Sequence, residues 1–291
     1  MKFGINTRDK EILTNMQSFD MDSIKLALNP INRIKRGIED GFRHFELSYD
    51  IDLFIPGLFD REKLKEMINL KEKYNLSFSV HLPFRSVELD YPHPYICDAF
   101  AKLLSEVILS VLPLQPEAFI LHATGKLPEK ISEIPASSAI LKYLLEFTSR
   151  GIEKILDTSR IPPDKLAVET LTVHFDEMNE IINKLGLSVC MDTGHLLSGV
   201  SGDFTLKDFL DKYYDKIIEI HLHDGYNRFE MDGSHKSKAH LALGKGDMDL
   251  LDFVSDLKNR GYNGALVFEM GKYGDITASY NKIQELLSGL V

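Results

Sequence analysis

The chain has 291 residues, 44% of them hydrophobic, enough for a large buried core, and its formal charge of −10 argues against broad binding to nucleic acid or acidic membranes. Its most apolar stretch, 107–122, is interrupted by Ser110, Pro113, Gln115, Pro116 and Glu117, too soon for a membrane span, and the opening MKFGINTRDKE has no apolar signal core. The cysteines Cys97 and Cys190 cannot build a disulfide framework, so a soluble, reduced, cytoplasmic protein is expected.

Strand-length apolar runs alternate with helix-length amphipathic stretches along the chain. Residues 2–7 open as a strand, and 30–40 reads as a helix with Ile31, Ile34 and Ile38 on one face and Gly41 as its stop. Strand 42–50 and helix 61–74 follow, then strand 77–84 and helix 94–111, and strand 117–123 and helix 137–156. The second half repeats the pattern: strand 165–172 with helix 176–185, strand 188–193 with helix 206–213, strand 216–223 with helix 249–260, and strand 265–269 with helix 275–287.

The strands are near-continuous hydrophobic runs, as parallel strands covered by helices must be. Eight such pairs in this length predict an α/β protein built as a single (β/α)8 barrel over residues 1–291, with no domain boundary. No Gly-x-Gly-x-x-Gly follows the first strand, which argues against a dinucleotide site. The longest irregular segments, 9–29, 85–93 and 224–248, follow strands one, three and seven, on the face where barrel enzymes build their sites.

Ionisable residues gather at the C-terminal ends of these strands. Strand two carries Glu46, strand three His81, strand four His122 and strand five Glu169. Strand six ends in Asp192 with His195 just beyond, strand seven carries His221 and His223 before Asp224, and strand eight ends in Glu269. Singly, each has an ordinary structural reading: Asp192 can cap a turn, and a strand-end histidine is often only hydrogen-bonded. Jointly, Glu169, Asp192 and Glu269 would repel one another in a low-dielectric mouth unless a cation lay between them. Hard oxygen and borderline nitrogen donors on one point suit a divalent metal, with Zn²⁺ and Mn²⁺ the leading candidates and one to two ions per chain.

Glu46 reads as a residue behind the ligands. His221 and His223 share side-chain parity, so spacing alone does not choose between them. Asp224 can orient an imidazole. In AHLALGKGDMDL, Gly244 and Gly246 bracket a tight turn, Asp247 or Asp249 caps the next helix, and His240 can reach the mouth.

VCMDTGH, HLHDG, HxxLGxG and the terminal FEM resemble the xylose-isomerase-like TIM-barrel superfamily, which includes sugar isomerases and epimerases and the endonuclease IV class (AP endonuclease family 2). The resemblance runs from about Phe42 to Met270. Set beside endonuclease IV, it implies that His81 and His122 hold one metal, that Glu169 bridges to a second, and that Asp192, His221 and Glu269 complete that second site. It also implies that His195 and His240 are ligands of a third ion, although Lys238 stands where that site needs an acid. ETLTVHF likewise departs from the ENTAGQG-type continuation of endonuclease IV. Set beside the ketose epimerases, it implies one metal on Glu169, Asp192, Glu269 and a strand-seven histidine, better aligned with His223. In that comparison the two glutamates move protons, His195 contacts substrate and Arg228 is a further substrate contact.

The expected function is metal-dependent hydrolysis of a phosphoester or related bond at a two-metal centre, because a one-metal isomerase has no use for His81 and His122. The alternatives are isomerisation or epimerisation of a sugar or sugar phosphate, with Glu169 and Glu269 as proton carriers, and a non-catalytic metal-binding barrel. Glu169, Glu269 and His195 are the candidate catalytic residues. The expected partner is a small polyhydroxylated or phosphorylated molecule. Arg85, Arg228, Lys236, Lys238 and Lys245 in the mouth loops keep nucleic acid in view, but the charge of −10 and Lys238 disfavour it.

Overall fold

The eight apolar runs pair in parallel and in chain order: β1 (Lys2–Asn6), β2 (His44–Ser48), β3 (Ser77–His81), β4 (Phe119–Leu121), β5 (Leu166–Glu169), β6 (Ser188–Asp192), β7 (Ile217–Leu222) and β8 (Ala265–Phe268). Pairing of β1 with β8, from Lys2 opposite Ala265 to Ile5 opposite Phe268, closes the barrel expected from the sequence. The computed structural model describes residues 1–8, 20–132, 138–171, 173–227 and 239–289. No described helix is long and apolar enough to cross a membrane.

Helices cover the outside of the barrel. Pro30–Glu39 starts with proline in its first turn and presents Ile31 and Ile34 to the sheet; Arg61–Tyr74 is capped by Asp60, whose carboxylate accepts the N–H groups of Glu62 and Lys63. Between sheet and helices lies one continuous apolar layer that includes Phe45, Phe78, Phe119, Phe175, Phe209 and Phe268, all buried. Each such ring contributes roughly 2–3 kcal/mol by leaving water.

The strands end sooner than the apolar runs suggest. β2 stops at Ser48 rather than Asp50, and β3 at His81 rather than Phe84. Beyond those points side chains replace the ladder: the Asp50 carboxylate takes the N–H groups of Phe84 (3.3 Å) and Arg85 (2.8 Å). The expected helix 176–185 begins as a tight 3₁₀ turn, Phe175–Met178, before continuing as Asn179–Leu185. Three short helices arise where none was expected: Met21–Ala27, capped by Asp20, then Lys126–Ser132 and Thr193–Leu197.

Inside the barrel most side chains are small or polar, with Ile120 the large apolar member of a small cluster. Ala118, Ile120, Ala167 and Cys190 form a separate apolar cluster, while His44, Glu46, Ser79 and Glu219 are also buried. Register explains the layering, because inward residues recur every second position. Ser48 is level with His81, so Glu46, level with Ser79, lies one step below the mouth.

Above the mouth, the loops after β3 and β4 are joined. The buried Asp90 carboxylate accepts the Gly125 N–H through Oδ2 (3.0 Å), while its Oδ1 has no hydrogen-bond partner among the described residues. Burial pushes the Asp90 carboxyl up to about 6; the Gly125 N–H offsets this in part and the Glu88 charge adds to it. The folded protein therefore holds this proton where the unfolded chain has lost it, and stability falls as pH rises from 3.8 towards 6. Asp90→Asn, which cannot ionise, is expected to be more stable than the natural chain at about pH 8 by on the order of 2–3 kcal/mol, the gap closing near pH 4. Urea denaturation at the two pH values checks this, and a gap that persists at low pH refutes the buried-charge account.

Candidate metal centre

β5 places Glu169 at the centre of the mouth, its side chain only 1% exposed. Its Oε2 lies 3.3 Å from His81 Nε2 on β3 and 2.9 Å from His122 Nε2, just past β4. Its Oε1 turns the other way, 3.5 Å from His221 Nδ1 on β7. His221 Nδ1 is also 3.5 Å from Glu269 Oε2 and 3.8 Å from Asp192 Oδ2. Two donor groups result, one of His81, His122 and Glu169 and one of Glu169, Asp192, His221 and Glu269, each with its ligand atoms within 4.8 Å of one another.

These donors fit a cation. His122 Nε2 and Glu169 Oε2 approach to 2.9 Å, yet neither makes a hydrogen bond, and His221 Nδ1 is likewise buried without one. Buried polar atoms are normally paired, so three neighbouring ligand atoms left without hydrogen bonds suit a candidate ion site. Charge leads to the same reading. Three carboxylates are sunk in one mouth, and among the described residues the cationic side chain paired with them is Arg8, whose Nη2 is 3.9 Å from Glu269 Oε1. Burial alone would raise Glu169, but His122 and His221 outweigh it and hold the carboxyl well below its usual range. Burial likewise opposes charge on His81, but Glu169 and Glu46 prevail and lift it to about 9. His81 and His221, both raised, thus carry positive charge that a divalent ion would otherwise supply, whereas burial pushes the His122 imidazole down and favours its neutral, ligand form.

The choice between His221 and His223 follows from their hydrogen bonds. His221 Nε2 donates to Glu46 Oε2 (2.9 Å), leaving Nδ1 for the centre. Asn6 steadies the other Glu46 oxygen. His223 Nδ1 accepts the His240 backbone N–H (2.8 Å), so its Nε2 carries the proton and donates to Asp192 Oδ2 (2.9 Å). His223, His240 and Glu269 also fall within ligand reach of one another, but both ring nitrogens of His223 are committed. His223 stands behind Asp192, in a space only glycine leaves open: a Cβ at Gly194 would come within 2.2 Å of its ring.

Asp192 has two tasks. It caps the helix Thr193–Leu197, its Oδ1 accepting the His195 N–H at 2.8 Å, and it faces the four-donor group. His195 Nδ1 donates to the Thr170 carbonyl (3.0 Å) and His240 Nδ1 to the Glu269 carbonyl (2.9 Å), so in the neutral tautomer each ring has its lone pair on Nε2, and both residues line one cavity. That cavity, about 670 Å³, is also lined by Arg8, Phe54, Phe84 and Arg85. The Phe84 ring stacks on His122 with centroids 4.2 Å apart.

One expectation changes. Among the described residues the Asp224 carboxylate orients no imidazole. It accepts the N–H groups of Gly225, Gly244, Gly246 and Met248, because the loop folds back onto it, and a Cβ at Gly246 would come within 2.5 Å of its Oδ1. Asp249, as expected, caps the helix Leu250–Asn259. Arg228, Lys236 and Lys238 lie outside the described residues. The polar layer beneath the mouth was not anticipated: Ser79 donates to Glu219 (2.9 Å), and His44 bridges Ser79 and Ser77. Parity was the available signal, since His44, Ser79 and Glu219 each lie two residues before Glu46, His81 and His221. Arg8, two residues beyond β1, carried no such mark.

The family described as a xylose isomerase-like TIM barrel matches residues 35–289. The chain belongs to that family. A relative by sequence, the uncharacterized protein MJ1614 of Methanocaldococcus jannaschii, is 23% identical over 221 residues, 76% of this chain and 81% of the relative. The fold of this xylose isomerase-like barrel is similar to that of a D-tagatose 3-epimerase-like protein, with a TM-score of 0.71 at 18% identity over 99% of this chain and 97% of the other. It is also similar to endonuclease IV from Thermus thermophilus, with a TM-score of 0.67 at 16% identity over 99% and 100% of the two chains. At such identities the likeness establishes the fold, while the family and its neighbours are enzymes of more than one class.

Asp224→Ala is expected to leave four loop N–H groups without their charged acceptor and to lower stability by about 3 kcal/mol or more, with Asp224→Asn in between. Chemical denaturation gives the magnitude. Hydrogen exchange at Gly225, Gly244, Gly246 and Met248 should accelerate, and unchanged exchange there would refute the loop-anchoring role.

Proposed function

We propose that this barrel is a divalent-metal-dependent hydrolase of a phosphoester or related bond. One ion is held by His81, His122 and Glu169, and a second by Glu169, Asp192, His221 and Glu269. The observation that carries this reading is the division of Glu169, with Oε2 turned to two imidazoles and Oε1 to His221. A carboxylate shared between two donor groups suits a pair of ions, and the mixed nitrogen and oxygen donors suit Zn²⁺ or Mn²⁺. When bound, such ions polarise a phosphoryl oxygen and acidify a water molecule.

The chain's own groups supply the rest. His195 and His240, their Nδ1 protons fixed on backbone carbonyls, offer Nε2 as acceptors for a proton or a substrate hydroxyl. Arg8 beside Glu269 offsets negative charge developing at the mouth. Phe84 walls the His122 side against water. Glu46 fixes the tautomer and direction of His221. The substrate is a small polyhydroxylated or phosphorylated molecule; a charge of −10 disfavours duplex nucleic acid.

A second reading is isomerisation or epimerisation of a sugar or sugar phosphate at the four-donor group alone. It is favoured by the presence of both Glu169 and Glu269 in that group, where they can take and return a proton. A protein named as D-tagatose 3-epimerase-like shares the fold.

Metal analysis separates the two. Two ions per chain are expected from the two donor groups. His81→Ala/His122→Ala should retain one ion and lose phosphoesterase activity, while Glu46→Gln should weaken binding at the second site by about tenfold. One ion in the natural chain, with activity unchanged in the double variant, would refute the hydrolase reading. Solvent deuterium appearing at a sugar carbon would establish the isomerase.

A further inference from the structure

One wall of the cavity is built by the loops after β3 and β4. Their junction is specific. Besides the Asp90 bond to Gly125, the Glu88 side chain packs where a Cβ at Gly125 would come within 2.4 Å of its Cγ. Arg85, Ser86 and Glu88 from one loop and Thr124, Gly125 and Lys126 from the other therefore line the same cavity.

Arg85 is held for a purpose its own ion pair does not fulfil. The buried Asp50 carboxylate bonds the backbone N–H of Arg85 through Oδ1 and meets Arg85 Nε through Oδ2 at 2.7 Å. The guanidinium is thus gripped at its inner edge, and its side chain remains 56% exposed. No described residue partners its Nη1 and Nη2 groups, the outer fork that matches two oxygens of an oxyanion. Lys126, exposed on the same wall, has no ion-pair partner among the described residues. Ser86, next to Arg85 in the chain and lining the same cavity, sits in the left-handed region, with φ of 61°, where a non-glycine residue costs on the order of 1–3 kcal/mol. Glu88 is the carboxylate of this wall.

We propose that Arg85, Lys126 and Ser86 form a metal-independent oxyanion subsite that seats a phosphate monoester of a small polyhydroxylated substrate, apart from the group that reacts at the metal centre. A guanidinium fork, an ammonium and a hydroxyl suit a phosphate, with its charge of about −1.5 to −2 and three acceptor oxygens, better than a carboxylate. The inference rests on the cavity being the substrate site of the proposed enzyme, but the subsite itself needs no metal.

Isothermal titration with inorganic phosphate tests it on the full chain, both chelator-treated and loaded with Mn²⁺. The chelated protein is expected to bind phosphate, and Arg85→Gln/Lys126→Gln to weaken that binding by about tenfold or more. Lys126→Gln alone, which leaves the Asp50 pair intact, should weaken it in part, and Arg85→Lys should fail to restore the fork. In the Mn²⁺-loaded protein, glucose 6-phosphate should outbind glucose, and the double variant should lose that advantage while keeping its metal content. No phosphate binding by the chelated natural chain overturns the proposal. So does binding unchanged in the double variant, or acetate binding as tightly as phosphate. Absence of bound metal alongside phosphate binding that depends on Arg85 and Lys126 would sink the hydrolase reading while leaving the subsite in place.

Discussion

Three carboxylates buried at one barrel mouth are the constraint around which the structure is arranged. Glu169, Asp192 and Glu269 have side chains 1%, 0% and 12% exposed, and water cannot screen them from one another. A core of this kind is tolerable only if positive charge is brought to the same place. The fold does so with the imidazoles of His81 and His221 on neighbouring strands and with Arg8 at the edge, while burial pushes the His122 imidazole towards its neutral form. Because imidazole can give up its proton and keep its lone pair, the same ring balances charge as a cation or binds one as a ligand. Arginines in those places could do only the first.

Direction matters as much as charge. His81 gives its Nδ1 proton to the Leu82 carbonyl, His195 to that of Thr170 and His240 to that of Glu269. His221 is turned the opposite way by Glu46, from below. The barrel interior is polar for this reason: beneath the donors lies a second ring of His44, Glu46, Ser79 and Glu219, with Ala167 and Cys190 small enough to make room. Burial pushes the Glu219 carboxyl up, and His44 offsets this only in part. The layer that fixes the ligands is therefore itself held under electrostatic tension.

Much of this was legible in the chain. Eight apolar runs, seven of them carrying an acid or a histidine at or near the C-terminal end, were sufficient for the barrel, because a parallel strand buried on both faces has no other simple composition. Placing Glu169, Asp192 and Glu269 in one mouth then followed from closure. Alternation gave His221 and His223 the same parity, and only the backbone N–H of His240, returning from the far end of the loop after β7, commits the second ring. Asp224 was misjudged for a related reason. A carboxylate beside an imidazole suggests a pair, but the glycines at 244 and 246 bring four N–H groups nearer. Residues 49–50 and 82–84 are apolar enough to read as strand, and only the tertiary claim of Asp50 on Phe84 and Arg85 ends the ladder early.

Asp192 joins two kinds of order that proteins usually keep apart. A five-residue helix cannot persist alone, and Thr193–Leu197 depends on the carboxylate that also faces the cation group. Loss of the Asp192 side-chain oxygens would therefore not merely remove one member of the donor group. It would also loosen the first turn of that helix, which carries His195. Local folding and the placement of the donor group are thus coupled through one carboxylate at the end of β6.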